Sequence, residues 1–436
     1  MRAEEKTGQN EGPAGAVDAM AQAPFSILAT TSSARSRHTL KHGDTFAVFD
    51  SHGDMGASPG GADGLFDHDT RYLARLQLLL EGMSPLLLGS SVRDDDLSFT
   101  ADLTNPDVYF EGRVALPRDT LHVVRTLYLW KGVAHQRIAV ANYGEARVDF
   151  SLAILFGNDF ADLFEVRGQR RERRGEMHEK AGGAGDVNFI YQGLDHATRR
   201  TALRFTPTPT QLVAGAATYR LALDASRSLY IYISAECHGP EPVTRVTFFK
   251  GLMAASRDRR RASKETGAVQ TSNAVLNEAL CRAQADLRML ITKTPEGFYP
   301  YAGIPWYSTT FGRDGLLTAL QMLWCDPSIA RGVLKRLAAF QATAFDPAAD
   351  AEPGKILHEM RAGEMAALKE VPFGLYYGSV DATPLFVVLL GLYVERTGDE
   401  ATLRGLWGAV EERLGLRLMP VGYRVVLPEM KSEASA

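Results

Sequence analysis

The chain of 436 residues contains only three cysteines: Cys237, Cys281 and Cys325. They lie far apart and form no CxxC pair, which argues against a disulfide framework and against a cysteine-rich zinc site. This usage is typical of a reducing compartment, so we expect a cytoplasmic protein. We expect no cofactor and no metal, because the possible ligands Asp67-His68-Asp69 lack a third, distant partner.

Long hydrophobic runs and a charge excess are missing as well. The longest apolar run, Leu385–Val394, is much shorter than the ~20 residues that span a bilayer. The net charge is −4, from 48 basic and 52 acidic residues. These values argue against a membrane protein and a general nucleic-acid binder. Residues 1–24 have no apolar core of a secretory signal and are predicted to form a disordered tail.

The composition is that of a globular protein, with 45% hydrophobic and 23% charged residues. At about 150 residues per domain, the length suggests two or three domains. The first half contains short runs rich in β-branched and aromatic residues, separated by turn signals, which predict an antiparallel β-sandwich. The clearest such runs are Thr120–Trp130, Gln136–Asn142, Val148–Phe156 and Ser228–Ser234. Two polar stretches, Arg167–Asp186 and Arg257–Gly267, are predicted to be loops, the second as part of a linker.

The second half shows helical spacing. Apolar residues recur at intervals of three and four, which predicts an array of helical hairpins. Five helices are expected, over Leu276–Leu290, Leu316–Leu323, Val333–Ala344, Pro384–Tyr393 and Leu403–Leu414. The fourth is apolar all round, so we expect it to be buried on every side.

The segment Tyr299–Asp314 (YPYAGIPWYSTTFGRD) could bind a sugar. Its aromatic side chains, Trp306 among them, are predicted to form an exposed loop, which is costly unless it covers a ligand. Arg313 and Asp314 could each engage two neighbouring hydroxyl groups. Alternatively, Asp314 caps a helix and Arg313 pairs with a nearby acid, and the short triplet alone leaves both interpretations open.

Two further segments carry candidate polar groups. His358 and Glu359 lie in KILHEMRAGE, which is not a zinc motif because no histidine stands four residues after His358. Ordinary surface ion pairs would also explain this segment. Asp381 ends YYGSVD just before the apolar helix, where it could face a cleft or cap the helix.

Taken together, these segments resemble the bacterial glycogen-debranching-enzyme-like family, often named amylo-α-1,6-glucosidases. Gly64–Leu73 and Asn158–Gly168 resemble that family's N-terminal β domain. Gly303–Gly315, Gly354–Glu364 and Tyr377–Phe386 resemble the start of its six-hairpin glycosidase domain, an (α/α)6 toroid. The resemblance covers residues 25–415 and implies a β domain at 25–240, a linker at 241–268 and an incomplete toroid at 269–415.

The resemblance also implies a function, which is inverting hydrolysis of an α-glucosidic branch by two carboxyl groups. Residues that match the family's motif loops would surround the sugar: Trp306, Arg313, Asp314, His358, Glu359 and Asp381. The family's general acid and base are expected beyond the end of this chain, and residues 416–436 match nothing in the family. We therefore expect an α-glucan or oligosaccharide partner, and self-association through an apolar helix face left open.

Three alternatives stay open at this point. The chain could be a carbohydrate-binding remnant without hydrolytic activity. It could also be another six-hairpin hydrolase, of the glucoamylase or trehalase kind, because a fold does not determine a substrate. A scaffold whose β domain makes protein contacts is the third.

Overall fold

A computed structural model describes residues 37–56, 60–238 and 246–411. These described residues belong to one compact unit. The expected tails at 1–24 and 416–436 lie outside the described residues. Within the described residues, no helix has both the length and the apolarity needed to cross a membrane.

The first half consists almost entirely of strands, and every pairing between them is antiparallel. The strands are β1 (Arg37–His42), β2 (Thr45–Asp50), β3 (Gly64–Asp67), β4 (Thr70–Leu73), β5 (Arg75–Leu80), β6 (Leu86–Val92), β7 (Ser98–Thr104), β8 (Val108–Phe110), β9 (Arg113–Leu116), β10 (Leu121–Trp130), β11 (Val133–Asn142), β12 (Val148–Gly157), β13 (Glu176–Gly183), β14 (Asp186–Gln192), β15 (Thr198–Thr206), β16 (Gln211–Val213), β17 (Ala216–Leu223) and β18 (Ser228–His238). A short helix, α1 (Leu163–Val166), follows β12.

These strands form a layered β domain. An eight-stranded sheet has the order β13-β14-β15-β18-β11-β10-β7-β6, and two four-stranded sheets have the orders β16-β17-β12-β5 and β1-β2-β3-β4. Alternate side chains from these sheets, such as Phe99, Ile138, Leu152 and Ile231, are buried in one hydrophobic core. This alternation is the period-2 pattern of strands with one buried face. The predicted antiparallel architecture and its four clearest strands are confirmed.

The second half contains the longer helices and five short strands. The helices are α2 (Phe248–Glu265), α3 (Ala274–Leu290), α4 (Gly312–Met322), α5 (Pro327–Ala339), α6 (Glu364–Ala367), α7 (Ala382–Thr397) and α8 (Glu400–Glu411). The strands are β19 (Ile291–Thr294), β20 (Gly297–Pro300), β21 (Thr310–Phe311), β22 (Glu359–Met360) and β23 (Leu375–Tyr376). Helices α4, α5, α7 and α8 share a second hydrophobic core. The five predicted helices are therefore present, although α5 ends at Ala339, before the expected Ala344.

Both stretches predicted as loops contain regular structure, so these predictions were wrong. Helix α2 extends to Glu265 through most of Arg257–Gly267. Its arginine, lysine, alanine and glutamate residues are strong helix formers, and a polar exposed helix has the composition of a loop. In the other stretch, strand β13 (Glu176–Gly183) pairs with β14 along its length.

Helix α7 is not buried on every side, which corrects another expectation. One side, with Phe386 and Leu389, is fully buried. Val388 and Leu392, one helical turn apart, are 46% and 42% exposed. No element within the described residues covers this apolar strip. Self-association through it stays a prediction.

A buried ion-pair network joins the β domain to the second half. Arg361, which precedes α6, donates from Nη1 to Asp69 in the β3–β4 turn at 2.9 Å and from Nε to Glu359 at 2.6 Å. The second Asp69 oxygen accepts from the backbone N–H of Ala362 at 2.8 Å. Arg361 and Asp69 are only 5% and 2% exposed. Charges taken out of water are tolerated only when they are paired this completely.

Two further carboxylates act across the same boundary. Asp162 caps α1 and also accepts from the backbone N–H of Met365 at 3.0 Å. Burial raises the pKa of Asp162 to about 7. Glu364 accepts from Arg171 and from the Tyr191 hydroxyl at 3.0 and 2.7 Å. Burial alone would raise the pKa of Glu364, but these hydrogen bonds lower it below its usual value. The segment 361–365 is thus attached to the β domain at several points.

Lys41 forms a separate contact between the two halves. Its ammonium group donates to Thr292 Oγ1 at 2.5 Å and lies 4.7 Å from the centre of the Tyr301 ring. Burial lowers the pKa of Lys41 to about 7. The ammonium form is therefore disfavoured in the folded protein relative to the unfolded chain.

We expect Arg361→Gln to lower the free energy of unfolding by about 3–5 kcal/mol, because Asp69 and Glu359 lose their buried cation. Urea denaturation at neutral pH measures the change. Arg404→Gln is the matched control, since Arg404 forms an exposed ion pair with Glu400 on α8. Its expected cost is below about 0.5 kcal/mol. Equal losses for the two variants would contradict the role given to Arg361.

Lys41→Met should change the pH dependence of stability. The folded pKa of about 7 lies below the ordinary value of 10.5. Charging the buried amine therefore opposes folding at pH 6, and this cost disappears as the pH rises from 7 towards 10.5. We expect Lys41→Met to exceed the parent in stability at pH 6 by at least about 1.4 kcal/mol, the value of one pKa unit. The advantage should shrink by pH 9. Parallel denaturation curves at both pH values test this, and a constant difference between the proteins would refute it.

Candidate active site

The candidate site lies where two helices begin beside a small antiparallel sheet. Strands β21, β22 and β23 pair in that order, with Phe311 opposite Glu359 and Glu359 opposite Tyr376. Helix α4 starts directly after β21, and its Gly312 N–H donates to the His358 carbonyl at 2.9 Å. A β carbon at residue 312 would lie 1.8 Å from the Leu357 carbonyl oxygen, so only glycine permits this approach. The N-terminus of α4 is thereby held against β22 and beside the start of α7.

Arg313 and Asp381 meet between the two helix N-termini. Arg313 Nη1 lies 3.5 Å from Asp381 Oδ2, and the two side chains are 48% and 39% exposed. The Ser379 hydroxyl donates to the other Asp381 oxygen. This hydrogen bond, together with the nearby guanidinium, lowers the pKa of Asp381 below its ordinary value. The carboxylate is therefore ionised at neutral pH and remains accessible to solvent.

Neither carboxylate caps its own helix, although capping was the simplest alternative. Asp381 occupies the N-cap position of α7 without a side-chain capping hydrogen bond. The N-cap of α4 is Phe311, and Asp314 lies within the first turn. Among the described residues, Asp314 has no hydrogen-bond partner and no ion pair. A partly exposed carboxylate at a helix N-terminus is favoured by the helix dipole and is free to accept hydroxyl groups.

His358 completes this group from the side of the sheet. Its ring packs edge-on against Phe311 and Tyr376, with centroids 6.0 and 5.9 Å away. Its Nδ1 atom is buried and has no hydrogen-bond partner within the described residues. A buried, unsatisfied ring nitrogen is a group that a ligand hydroxyl can satisfy.

The aromatic segment 299–311 is not the exposed platform that its sequence predicted. Tyr299, Tyr301 and Phe311 are 0%, 6% and 6% exposed. The Tyr299 hydroxyl donates to the Phe311 carbonyl, and the Tyr301 hydroxyl donates to Asp44 in the β1–β2 turn. Tyr301 thus lies at the boundary between the two halves, whereas Tyr299 packs in the core of the second half. Tyr307, stacked edge-on against Phe311, remains 39% exposed and is the ring available to a sugar.

Trp306 and Glu359 lie on the other side of the β21–β22 sheet from this group, at the boundary with the β domain. The Trp306 ring packs against the cluster of Phe46, Phe66 and Leu163, and its carbonyl accepts from Arg361 at 2.7 Å. Glu359 is 8% exposed and is engaged by Arg361. Of the six predicted sugar-binding residues, Arg313 and Asp381 are in contact, Asp314 lies in the same helical turn as Arg313, and the His358 carbonyl adjoins the start of α4. A sugar contact for Trp306 and Glu359 stays a prediction.

A second feature was not identified from the sequence. A cavity of about 970 Å³ lies between the β domain and the second half, and none of the six predicted residues lines it. Its walls include the turns 42–45, 67–69 and 131–132 of the β domain, together with residues 293–295, 308–309 and 360–362. We call it the interface cavity. The sequence signal for the interface cavity is the motif Gly64–Leu73. It contains Asp67, His68 and Asp69, which the sequence analysis considered as metal ligands and rejected.

Comparison with known proteins supports the resemblance over the first half of the chain. Residues 40–234 match the family model described as the N-terminal domain of (some) glycogen debranching enzymes. The resemblance is thus confirmed for the β domain. No curated protein matches the chain.

The comparison of structures extends to both halves. A protein from the human microbiome named as a kojibiose phosphorylase is similar with a TM-score of 0.56 at 9% sequence identity, over 84% of this chain. A bacterial glucoamylase complexed with acarbose has a TM-score of 0.47 at 9% identity, and the match covers 89% of this chain and 62% of that one. Our chain spans 54% of the length of the phosphorylase. At 9% identity, the similarity to the phosphorylase concerns the fold alone. It confirms antiparallel sheets followed by helices of the (α/α)6 type.

Gly312→Ala tests whether the close approach at the start of α4 shapes the site. The added methyl group would displace the Leu357 carbonyl, so we expect a loss of about 1–3 kcal/mol in unfolding free energy. Gly405→Ala on α8 is the control, because a β carbon there meets no atom within 4 Å. In the helix interior it should be neutral or stabilising by up to about 1 kcal/mol. Thermal and urea unfolding compare the two, and an unchanged Gly312→Ala protein would contradict the packing described here.

Proposed function

From the match of residues 40–234 to the N-terminal domain of glycogen debranching enzymes, we propose that the chain is part of a glycoside hydrolase that acts on α-glucans. The proposed substrate is a branched α-glucan, and the proposed reaction is that of an amylo-α-1,6-glucosidase. The group formed by Arg313, Asp314, His358 and Asp381, called here the sugar-binding group, would hold the non-reducing end of the glucan.

The observation that supports binding most directly is the state of Asp314. Its carboxylate is partly exposed, lies in the first turn of α4 directly after Arg313 and has no partner in the described structure. A carboxylate accepts from two adjacent hydroxyl groups, and a guanidinium donates to two. Adjacent hydroxyl groups on a ring are the feature that distinguishes a sugar from most other small ligands. Tyr307 offers an exposed aromatic face for the apolar side of the ring.

The proposed chemistry needs two further roles. In inverting hydrolysis one carboxylic acid protonates the leaving oxygen, and a carboxylate about 6.5–9.5 Å away activates water on the opposite side of the sugar. Asp314 and Asp381 are assigned to binding. Asp381 pairs with Arg313, and Asp314 follows Arg313 in the first turn of α4. The general acid and base are not assigned to residues of this chain.

A non-catalytic carbohydrate-binding protein is the second candidate. The same sugar-binding group supports it, because binding needs only the hydroxyl contacts. A glucoamylase-like or trehalase-like hydrolase would also place a sugar there. Activity measurements on different glucans distinguish these possibilities.

Asp314→Ala should weaken the binding of maltotriose by about 10- to 100-fold, since a hydrogen bond to a charged group contributes about 1.5–3 kcal/mol. Isothermal titration of the whole chain measures the affinity. Glu395→Ala is the control, because Glu395 is an exposed carboxylate on α7, away from its N-terminus. We expect it to bind as the parent does. If Asp314→Ala also binds as tightly as the parent, the sugar-binding group is wrongly assigned.

Hydrolysis is tested separately, with a branched and a linear α-glucan as substrates. Release of β-glucose from the branch points, followed by NMR, would support an inverting debranching activity. Binding without glucose release would favour the carbohydrate-binding protein. Equal cleavage of the linear glucan would favour a glucoamylase-like enzyme and contradict the specificity for branches.

A further inference from the structure

The interface cavity has the dimensions of a small-molecule site. Its volume of about 970 Å³ lies at the upper end of the range of ligand pockets. Parts of the chain that are distant in sequence meet there, from the β1–β2 turn to strand β23. The cavity shares no lining residue with the sugar-binding group, so it is a separate site.

One wall carries a buried hydroxyl group without a partner. Ser308 is 3% exposed, and its Oγ atom has no hydrogen bond in the part of the chain that the structure describes. Its neighbour Thr309 donates its hydroxyl to the Met360 carbonyl and is satisfied. A buried polar atom left unpaired costs about 1–3 kcal/mol, unless water or a ligand pairs with it. Ser308 lines the cavity and is placed to donate to an occupant.

Two lysines supply uncompensated positive charge. Lys131, at the β10–β11 turn, and Lys293, on β19, both line the cavity and are both exposed. The Lys131 ammonium lies 5.3 Å from the centre of the Trp130 ring. Across the described ranges, neither ammonium forms an ion pair. One comes from the β domain and the other from the second half.

The carboxylates of the cavity are already compensated. Asp69 is paired with Arg361, as described above, and Asp67 accepts from Thr45 at 2.6 Å and from His68 at 3.0 Å. Asp44 accepts from the Tyr301 hydroxyl at 2.8 Å and lies 3.8 Å from His68. Burial opposes the charge of His68, but Asp67 and Asp44 raise its pKa to about 9, so it is a cation at neutral pH. The remaining charge of the cavity is therefore positive.

We propose that the interface cavity binds a phosphorylated monosaccharide, whose phosphate is held by Lys131, Lys293 and the Ser308 hydroxyl. A phosphate oxygen accepts hydrogen bonds from ammonium and hydroxyl donors, and these three side chains offer such donors. The partly exposed Asp44 carboxylate can accept from the sugar hydroxyls. Met360 and Leu375 offer apolar contacts to the sugar ring. The proposal is independent of the proposed glucan hydrolysis.

The test is calorimetric titration of the whole chain with glucose 6-phosphate, inorganic phosphate and glucose. We expect one glucose 6-phosphate per chain, with an affinity that decreases as salt increases. Lys131→Met and Lys293→Met should each weaken binding at least about tenfold, and Ser308→Ala should also weaken it. Lys335→Met is the matched control, because Lys335 is an exposed lysine on α5 outside the cavity, and it should bind as the parent does. Unfolding midpoints establish that each variant is folded.

The outcomes separate the two sources of a phosphate group. Tighter binding of glucose 6-phosphate than of inorganic phosphate supports a sugar phosphate. Equal affinity for both, with the same lysine dependence, supports the phosphate site and assigns inorganic phosphate as its ligand. Absence of binding, equal binding of glucose, or full affinity in both lysine variants would overturn the proposal. Asp314→Asn should keep its affinity for glucose 6-phosphate, and a loss there would show that the ligand occupies the sugar-binding group instead.

Discussion

The burial of Arg361 between Asp69 and Glu359 is the interaction on which the arrangement of this protein depends. A guanidinium that is 5% exposed must find its counter-charges inside the protein, and one of them comes from the β domain. Removing one partner would leave an uncompensated buried charge, so β22 cannot shift relative to the β3–β4 turn without a large cost. The position of β22 in turn sets the position of His358 and of the start of α4. The β domain therefore helps to shape a surface to which it contributes no side chain.

The segment 306–311 connects the two candidate sites. Ser308 and Thr309 line the interface cavity, whereas Tyr307 and Phe311 adjoin the sugar-binding group. The segment 358–361, which contains strand β22, has the same double role, since Met360 and Arg361 line the cavity and the His358 ring contacts Phe311 and Tyr376. A ligand in the cavity would therefore contact the same short strands that hold the sugar-binding group. These strands are fixed by backbone pairing and by Gly312, which leaves little freedom for either side to move alone.

The fold was largely predictable from the sequence because its elements carry strong local periodicities. Helices α3 and α8 follow from apolar spacing, and α7 follows from a continuous apolar run. Strands β10, β11 and β12 follow from short β-branched runs between turns. Helix α2 was missed because its exposed, arginine-rich turns have the composition of a loop. In that case helix propensity was the better guide, since polarity indicates only contact with solvent.

The candidate site was predictable only where its residues act locally. Arg313, Asp314 and Asp381 stand at helix starts, which the sequence marks. The role of Tyr301 depends on a partner far away in the chain, since its hydrogen bond to Asp44 spans 257 residues. Glu359 is engaged by the nearby Arg361, whose other partner, Asp69, lies 292 residues away. An aromatic ring in a loop looks available to a ligand until its hydroxyl is seen to pair elsewhere. The interface cavity could not be predicted for the same reason, because it forms only where turns that are distant in the sequence meet.

The separation of Asp69 and Arg361 also matters for biosynthesis. The two residues lie 292 positions apart, so a ribosome adding about 5–20 residues per second completes Asp69 roughly 15–60 s before Arg361. A β domain that folds during this interval presents Asp69 and Asp162 without their later partners. Water must solvate both carboxylates until the segment 361–365 arrives. Docking of the second half then displaces this water.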